Sequence, residues 1–254
     1  MPTPQHKPII GYPFTQLIRV DSTNNYAMAL AQNGMAMHGA AWFALEQTAG
    51  KGQRGKTWKT EPGQNIILSV LLDTSRLAVS AQFRLSMAVA LAVHDFYSKY
   101  ALDDTRIKWP NDIYWRDRKA GGILIENVLK GNIWQWAVAG MGININQVVF
   151  DAAIKNPVSL KQITGKNFDT PALAQELCSF LEQRFQQLHE NDTDALLQAY
   201  NERLFKRGEK VKLHKDAIAF ECIIDHVDEM GRLWLRDSIY PYVEFGEVRW
   251  DLAS

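Results

Sequence analysis

Residues 47–58, Gln-Thr-Ala-Gly-Lys-Gly-Gln-Arg-Gly-Lys-Thr-Trp, combine three glycines with three cations. The glycines are Gly50, Gly52 and Gly55; the cations are Lys51, Arg54 and Lys56, and Lys59 follows. No carboxylate falls between Glu46 and Glu61. Glycine main chain can approach a ligand closely, and successive N–H groups beside Lys and Arg form a concavity for an anion. The composition predicts a mobile loop that orders over a phosphate or another anion. A charged, glycine-rich surface turn with no ligand is the competing reading. Gly50 to Gly55 also match G-x-G-x-x-G, but that dinucleotide fingerprint needs a helix opening directly behind it. Pro62 and Gly63 follow instead, then a strand-like run at 65–73, so a dinucleotide-binding turn is rejected.

Other residues suit the same chemistry. Ser22, Thr23 and Asn24 open an apolar stripe of Tyr26, Ala27, Leu30 and Ala31, with Gly34 as a stop. Such residues cap a helix, and three small polar groups there can also hold a polar ligand head. Gln47 ends a buried strand, where side chains often face a site. Lys108 and Lys119 are two further cations, with Asp112 and the pair Gly121-Gly122 nearby. Gly121, Gly122, Gly140 and Gly142 weaken strand patterns unless a backbone or ligand must approach. Asn144 and Asn146 are two apart and so share a strand face; when buried they need partners, from a core network or from a ligand. Cations gathered near one carboxylate suit a reaction between two anions. One unit-charge attraction at about 4 Å is worth ~4 kcal/mol at an effective dielectric of 20, against ~1 in water. Loop closure would also exclude water from a reactive product.

These residues need a scaffold. Residues 1–13 carry Pro2, Pro4, Pro8 and Pro13 and read as a loose arm. Strands are predicted at 14–20, 39–47 and 65–73, the last two paired as a hairpin. An apolar helix is predicted over 78–99, with Phe83, Met87, Leu91 and Phe96 in the core. Pro110 biases Trp109 towards extended structure, and Pro110-Asn111-Asp112 reads as a turn between short strands. A second hairpin turns at Lys130-Gly131-Asn132. Thr170-Pro171 starts a helix whose stripe includes Leu173, Leu177, Phe180, Leu181, Phe185 and Leu188, with Cys178 as packing; another helix spans about 193–205. From Lys206 short strands suggest a small barrel or sandwich, dividing the chain into 1–205 and 206–254.

Composition sets bounds. The 254 residues are 46% hydrophobic and 22% charged, as in ordinary globular proteins. Lys plus Arg equals Asp plus Glu, 28 each, so no global field draws in nucleic acid or an anionic membrane. The loop's positive charge is therefore local and suits a small anion. Cys178 and Cys222 form no disulfide or zinc pattern, which fits a reducing compartment. The histidines, His6, His38, His94, His189, His214 and His226, show no paired spacing for a metal. No run reaches signal-peptide or membrane-span length, so the expected location is the cytoplasm.

Five motifs, in order and at matching spacing, carry a family resemblance: Asp21-Ser-Thr-Asn24, the loop from Gln47 to Trp58, Lys108-Trp-Pro-Asn-Asp112, Lys119-x-Gly-Gly-Ile-Leu124 and Gly140-Met-Gly-Ile-Asn-Ile-Asn146. Over essentially the whole chain the sequence resembles the biotin protein ligases (biotin–[acetyl-CoA-carboxylase] ligases). The resemblance implies an α+β fold: a mixed sheet with helices on one face, related to class II aminoacyl-tRNA synthetases, then a C-terminal SH3-like barrel. It implies that biotin and ATP give biotinyl-5′-AMP and pyrophosphate with Mg²⁺, and that a lysine of a biotin carboxyl carrier domain then takes the biotinyl group. Carried over by motif, Ser22, Thr23, Asn24 and Gln47 hold the ureido ring, whose two N–H donors and one C=O suit hydroxyl and amide partners. Gly50, Gly52, Gln53 and Arg54 close on biotin, and Gly121 and Gly122 let the valeryl chain lie on the sheet. Lys119 meets the carboxylate and then the α-phosphate. Lys51, Arg54, Lys56, Trp58, Lys119 and Asn144 serve the adenylate; Lys108, Asp112 and Arg54 join Lys119 in catalysis. The best-known members carry arginines where this chain has Lys51, Gln53 and Lys56. A lysine keeps the charge without the bidentate fork, and Gln53 loses it. Larger members add an N-terminal helix-turn-helix. With the first motif at residue 21, no sequence-specific DNA binding is expected. The family includes monomers and homodimers. The alternatives are a lipoate or octanoate ligase or transferase of the same fold, and a non-catalytic biotin- or adenylate-binding regulator.

Overall fold

The computed structural model describes residues 10–152, 154–189 and 193–251. Most of the proline-rich arm, residues 1–9 with Pro2, Pro4, Pro8 and His6, lies outside the described residues, as does the side chain of His189. The strands are β1 (Phe14–Val20), β2 (Ala41–Gln47), β3 (Ile66–Asp73), β4 (Thr105–Lys108), β5 (Asp112–Trp115), β6 (Arg118–Lys130) and β7 (Ile133–Ile143), then β8 (Lys210–Lys215), β9 (Ile218–Val227), β10 (Leu233–Arg236), β11 (Tyr242–Val243) and β12 (Val248–Trp250). The helices are α1 (Thr23–Gln32), α2 (Gln82–Ala101), α3 (Leu160–Thr164), α4 (Thr170–His189) and α5 (Thr193–Glu202).

β1 to β7 form one sheet in the order β1-β2-β3-β7-β6-β5-β4. β1 and β2 run parallel, because α1 carries the chain back between them; the other neighbours are antiparallel. This is the expected mixed sheet, and both expected hairpins form. β3 is buried almost throughout, so alternate residues feed opposite faces. Ile66, Leu68, Val70 and Leu72 join the main core with α2 and α4. On the other face Leu71 packs with Trp42, Val138 and the small side chains Ala27 and Ala31 of α1. Helices thus cover both faces, where the resemblance implied one. α1 has only ten residues and leaves the neighbouring floor to something else.

Some boundaries move. α2 starts at Gln82 rather than 78, because Val79–Ala81 make a tighter 3₁₀ turn. α5 ends at Glu202 rather than 205. Asn144 and Asn146 lie past the end of β7, so they share no strand face. Cys178 and Cys222 are buried free thiols, packed as expected for Cys178. Among the described residues no helix is long and apolar enough to cross a membrane.

The second sheet is antiparallel, in the order β11-β10-β9-β8-β12. It is seated against the first unit by buried polar contacts. The Trp109 indole donates to Gly231 O at 2.9 Å, from the turn where the Trp109-Pro110 peptide is cis. Asn201 of α5 donates to Val227 O at 2.9 Å and accepts from Val227 N at 2.7 Å. Removing that amide strands two buried backbone groups. Asn201→Ala should therefore cost about 2–4 kcal/mol of unfolding free energy, read by urea titration; a loss below about 0.5 kcal/mol would show that the seam does not depend on it.

Candidate active site

The register builds a floor. Ile67 pairs with Gly142 and Ser69 with Gly140; across β6, Gly122 pairs with Gly142 and Leu124 with Gly140. Gly122, Gly140 and Gly142 therefore lie on the α1 face and leave it without side chains at three positions on the two adjacent strands β6 and β7. Gly121 pairs with Ile143, in the main core, and so faces away. The structure separates the two glycines that the motif placed together.

At one end of the floor stands the start of α1. Ser22 is the N-cap, its hydroxyl accepting from Asn25 N at 3.5 Å, and Ser22, Thr23 and Asn24 are all buried. Thr23 N–H donates to Gln47 Oε1 at 2.8 Å. The Ser69 hydroxyl lies 2.7 Å from Thr23 Oγ1 and 2.6 Å from Asn24 Oδ1. Ser69 has one hydrogen, and Asn24 Oδ1 can only accept. Ser69 thus donates to Asn24, and the Thr23 hydroxyl donates to Ser69 or to Gln47 Oε1, 3.1 Å away. Asn24 Nδ2 donates to Glu126 Oε2 at 2.8 Å and Leu124 O at 3.3 Å. A Cβ on Gly140 would lie 2.2 Å from Asn24 Oδ1, so only glycine admits this amide. The donors of Thr23 and Asn24 are spent inside the protein, and the Thr23 hydroxyl keeps its acceptor lone pairs. These, the Ser22 O–H and the Gln47 amide N–H groups remain to meet a ligand.

At the other end the cations meet. Lys119 donates to Asp112 Oδ1 at 2.7 Å, above Gly122. Lys108 pairs with Asp112 across the β4–β5 turn. Its ammonium lies 5.4 Å from the Tyr114 ring centre and 5.1 Å from that of Trp250, which the second sheet supplies. Burial pushes the Lys108 ammonium down to about 8; Asp112 opposes that shift, and Lys119 and Lys56 reinforce it. Asn144 stands behind the pair, with Nδ2 donating to Lys119 O at 3.3 Å.

The cationic loop covers the floor between. Lys51 bridges Thr57, Gly52 N–H donates to Lys56 O at 2.6 Å and Trp58 N–H to Gly50 O at 2.9 Å, so residues 50–58 close as a small hairpin leading into β3 rather than a helix. Lys51 lies 3.6 Å from Glu126, and Gln53 Nε2 donates to Ile123 O at 3.4 Å. Trp58 lies flat on Gly142, where a Cβ would sit 2.5 Å from its ring. Its Nε1 is buried without a hydrogen-bond partner, and Lys119 stands 5.9 Å from its ring centre. Arg54, at the tip with φ 56°, points away: it donates to Gly246 O at 2.6 Å, in the second unit. Lys119, Asp112, Lys108, Lys56 and Trp58 are thus brought together, while Arg54 and Gly121 are not.

Sequence reading missed Ser69, Glu126 and Trp250. Ser69 had a signal, the only polar residue inside the run Ile66–Leu72. Glu126 and Trp250 had none, because their partners lie on distant elements.

Two expectations follow. The folded Lys108 ammonium loses its proton nearer pH 8, and an unfolded one near 10.5. Between those values the unfolded chain holds more protons, so this group adds stability as pH rises. Wild type should gain on Lys108→Met between pH 8 and 10.5 in urea midpoints; a constant gap would refute the shift. Gly142→Ala should unseat Trp58 and speed tryptic cleavage at Lys51, Arg54 and Lys56, whereas unchanged cleavage would mean that the loop does not rest on this floor.

The comparisons agree with this layout. Residues 17–144 match the model of the Biotin/lipoate A/B protein ligase family. The chain is 30% identical to the biotin–[acetyl-CoA-carboxylase] ligase of Paracoccus denitrificans, over 87% of this chain and 92% of that one. It is 34% identical to the bifunctional ligase/repressor BirA of Escherichia coli K12, over 61% of this chain and 48% of that protein; it thus spans about half the length of such relatives. The fold matches biotin protein ligase from Aquifex aeolicus in complex with biotin and ATP, at TM-score 0.75 and 23% identity, covering 95% and 96% of the two chains. With its motifs on one glycine floor and a full-length relative of this kind, the chain belongs to the biotin/lipoate A/B protein ligase family.

Proposed function

We propose that this protein is a biotin protein ligase, making biotinyl-5′-AMP from biotin and ATP and passing the biotinyl group to a lysine of a biotin carboxyl carrier domain. The observation that carries this reading is the polarity of the cleft. Groups that match a ureido ring, Ser22, Thr23 and Gln47, stand at one end and Lys119, Lys108 and Lys56 at the other, with the glycine floor and Trp58 above it between them.

In the first step a carboxylate oxygen attacks the α-phosphorus and the bond to pyrophosphate breaks. Both partners are anions, so the cations lower their repulsion. Lys119 would leave Asp112 to meet the carboxylate and then the α-phosphate, and Lys56 and Lys51 would face the other phosphates. In the second step the carrier amine attacks the acyl carbon, the bond to AMP breaks and the amine gives up a proton. Asp112, freed from Lys119, would orient that amine or accept its proton. Trp58 would exclude water from the mixed anhydride.

Among the described residues no group of three or more His, Cys, Asp or Glu could hold a metal by itself. Magnesium rarely needs one, since it is bound by one or two carboxylates with substrate phosphates and water. It fits here only as a companion of the nucleotide, beside Asp112, supplying further charge neutralisation. Buried free thiols support a reducing, cytoplasmic setting. We read residues 1–205 as the catalytic domain and 206–254 as a small barrel that closes over Lys108. A lipoate ligase is the weaker reading, because a dithiolane ring would leave the Ser22 and Gln47 groups unpaired.

Lys119→Ala should cut biotin-dependent pyrophosphate release by about two orders of magnitude or more, with an unchanged circular dichroism spectrum. Activity within a few-fold would remove Lys119 from its role. Incubation with biotin, ATP, Mg²⁺ and a carrier domain, followed by mass spectrometry, tests the whole reaction; an unmodified carrier would sink it.

A further inference from the structure

Glu126 is a carboxylate on the site face of β6, and no motif accounts for it. Its two oxygens serve different elements. Oε2 accepts from Asn24 Nδ2 at 2.8 Å, and Oε1 lies 3.6 Å from the Lys51 ammonium. The side chain is 29% exposed, so it is screened from water without being enclosed.

An amide is nearly symmetrical in shape, and its partners decide which end is oxygen. Asn24 has its Nδ2 set by Glu126 and Leu124 O, and its Oδ1 set by the Ser69 hydroxyl. That hydroxyl in turn touches Thr23, which holds Gln47 Oε1 through its N–H. An unbroken chain of contacts therefore runs from Gln47 through Thr23, Ser69 and Asn24 to Glu126, and on to Lys51 of the cationic loop. The loop's other anchors are Gln53 to Ile123 O at 3.4 Å, Trp58 on Gly142, and Arg54 to Gly246 O of the second unit at 2.6 Å. Asp21 is a second carboxylate that feels the Lys51 charge, and Glu126 is the one that also holds Asn24.

Resting on the ligase reading above, we infer that Glu126 is a positioning residue, which orients the Asn24 amide and clamps the loop at Lys51, joining the ureido end of the cleft to its phosphate end. It touches no reacting atom. Its hydrogen bond to Asn24 needs an acceptor oxygen; its hold on Lys51 needs a negative charge. Glutamine supplies the first and lacks the second, so it separates the two duties.

The test uses the full chain with Glu126→Gln, Glu126→Ala, Lys51→Ala and the double variant Glu126→Gln/Lys51→Ala. Biotin binding is measured by calorimetry, and loop closure by tryptic cleavage at Arg54 and Lys56. Glu126→Ala should weaken biotin binding by about tenfold, and Glu126→Gln should recover it to within about threefold of wild type. Both Glu126→Gln and Lys51→Ala should be cleaved faster than wild type, and the double variant no faster than the faster single one. Failure of glutamine to recover binding, or additive cleavage in the double variant, would overturn the inference. Should Glu126→Ala not fold, the binding of Glu126→Gln and the cleavage comparison still decide it. Should wild type bind no biotin, the ligase reading falls, while the cleavage comparison still judges the clamp.

Discussion

The central constraint is a stretch of sheet surface that carries no side chains. Gly122, Gly140 and Gly142 lie side by side on adjacent strands, and everything above them is packed to backbone distance. Asn24 and Trp58 occupy space that a single Cβ would take. Such glycines cost strand stability. The opposite face bears that cost: Ala137, Ala139, Met141 and Ile143 of the same strand are buried in the main core with α2 and α4. One strand thus serves stability with its odd positions and the cleft with its even ones.

The electrostatics follow from the same surface. Lys119 and Lys108 stand beside Asp112, Lys56 lies near enough to act on Lys108, and the buried ammonium of Lys108 gives up its proton more readily than a free one. Mutual repulsion among cations is a cost in the empty cleft and a gain when an anion enters. Aromatic faces, Tyr114 and Trp250 around Lys108 and Trp58 near Lys119, moderate that cost until then. Trp250 comes from the second sheet, and Arg54 of the loop reaches Gly246 beside it. The C-terminal strands are therefore part of the cleft's environment as well as a neighbouring fold.

The mixed sheet, both hairpins, the helix starts at Ser22 and Thr170 and the family were all legible in the chain. Each rests on local pattern: a short apolar run in 66–72, capping residues before apolar stripes, turn residues at 130–132, and motifs of fixed spacing. What failed was anything set by which way a side chain faces. Gly121 and Gly122 look alike in sequence, yet strand alternation sends them to opposite faces. Arg54 reads as a site cation, yet a left-handed backbone at the loop tip turns it to the second unit.

The sequence by itself determined the kinds of element, the family and the inventory of charged and polar groups, because these depend on near neighbours along the chain. Only the tertiary structure decided which groups are spent on one another and which are left for a ligand. The donors of Thr23 and Asn24 are spent within a network of Gln47, Ser69 and Glu126, residues 24 to 102 positions away, which leaves the Thr23 hydroxyl as an acceptor. No local rule sees such partners, since hydrogen bonds form between groups that packing brings together, whatever their separation in the chain.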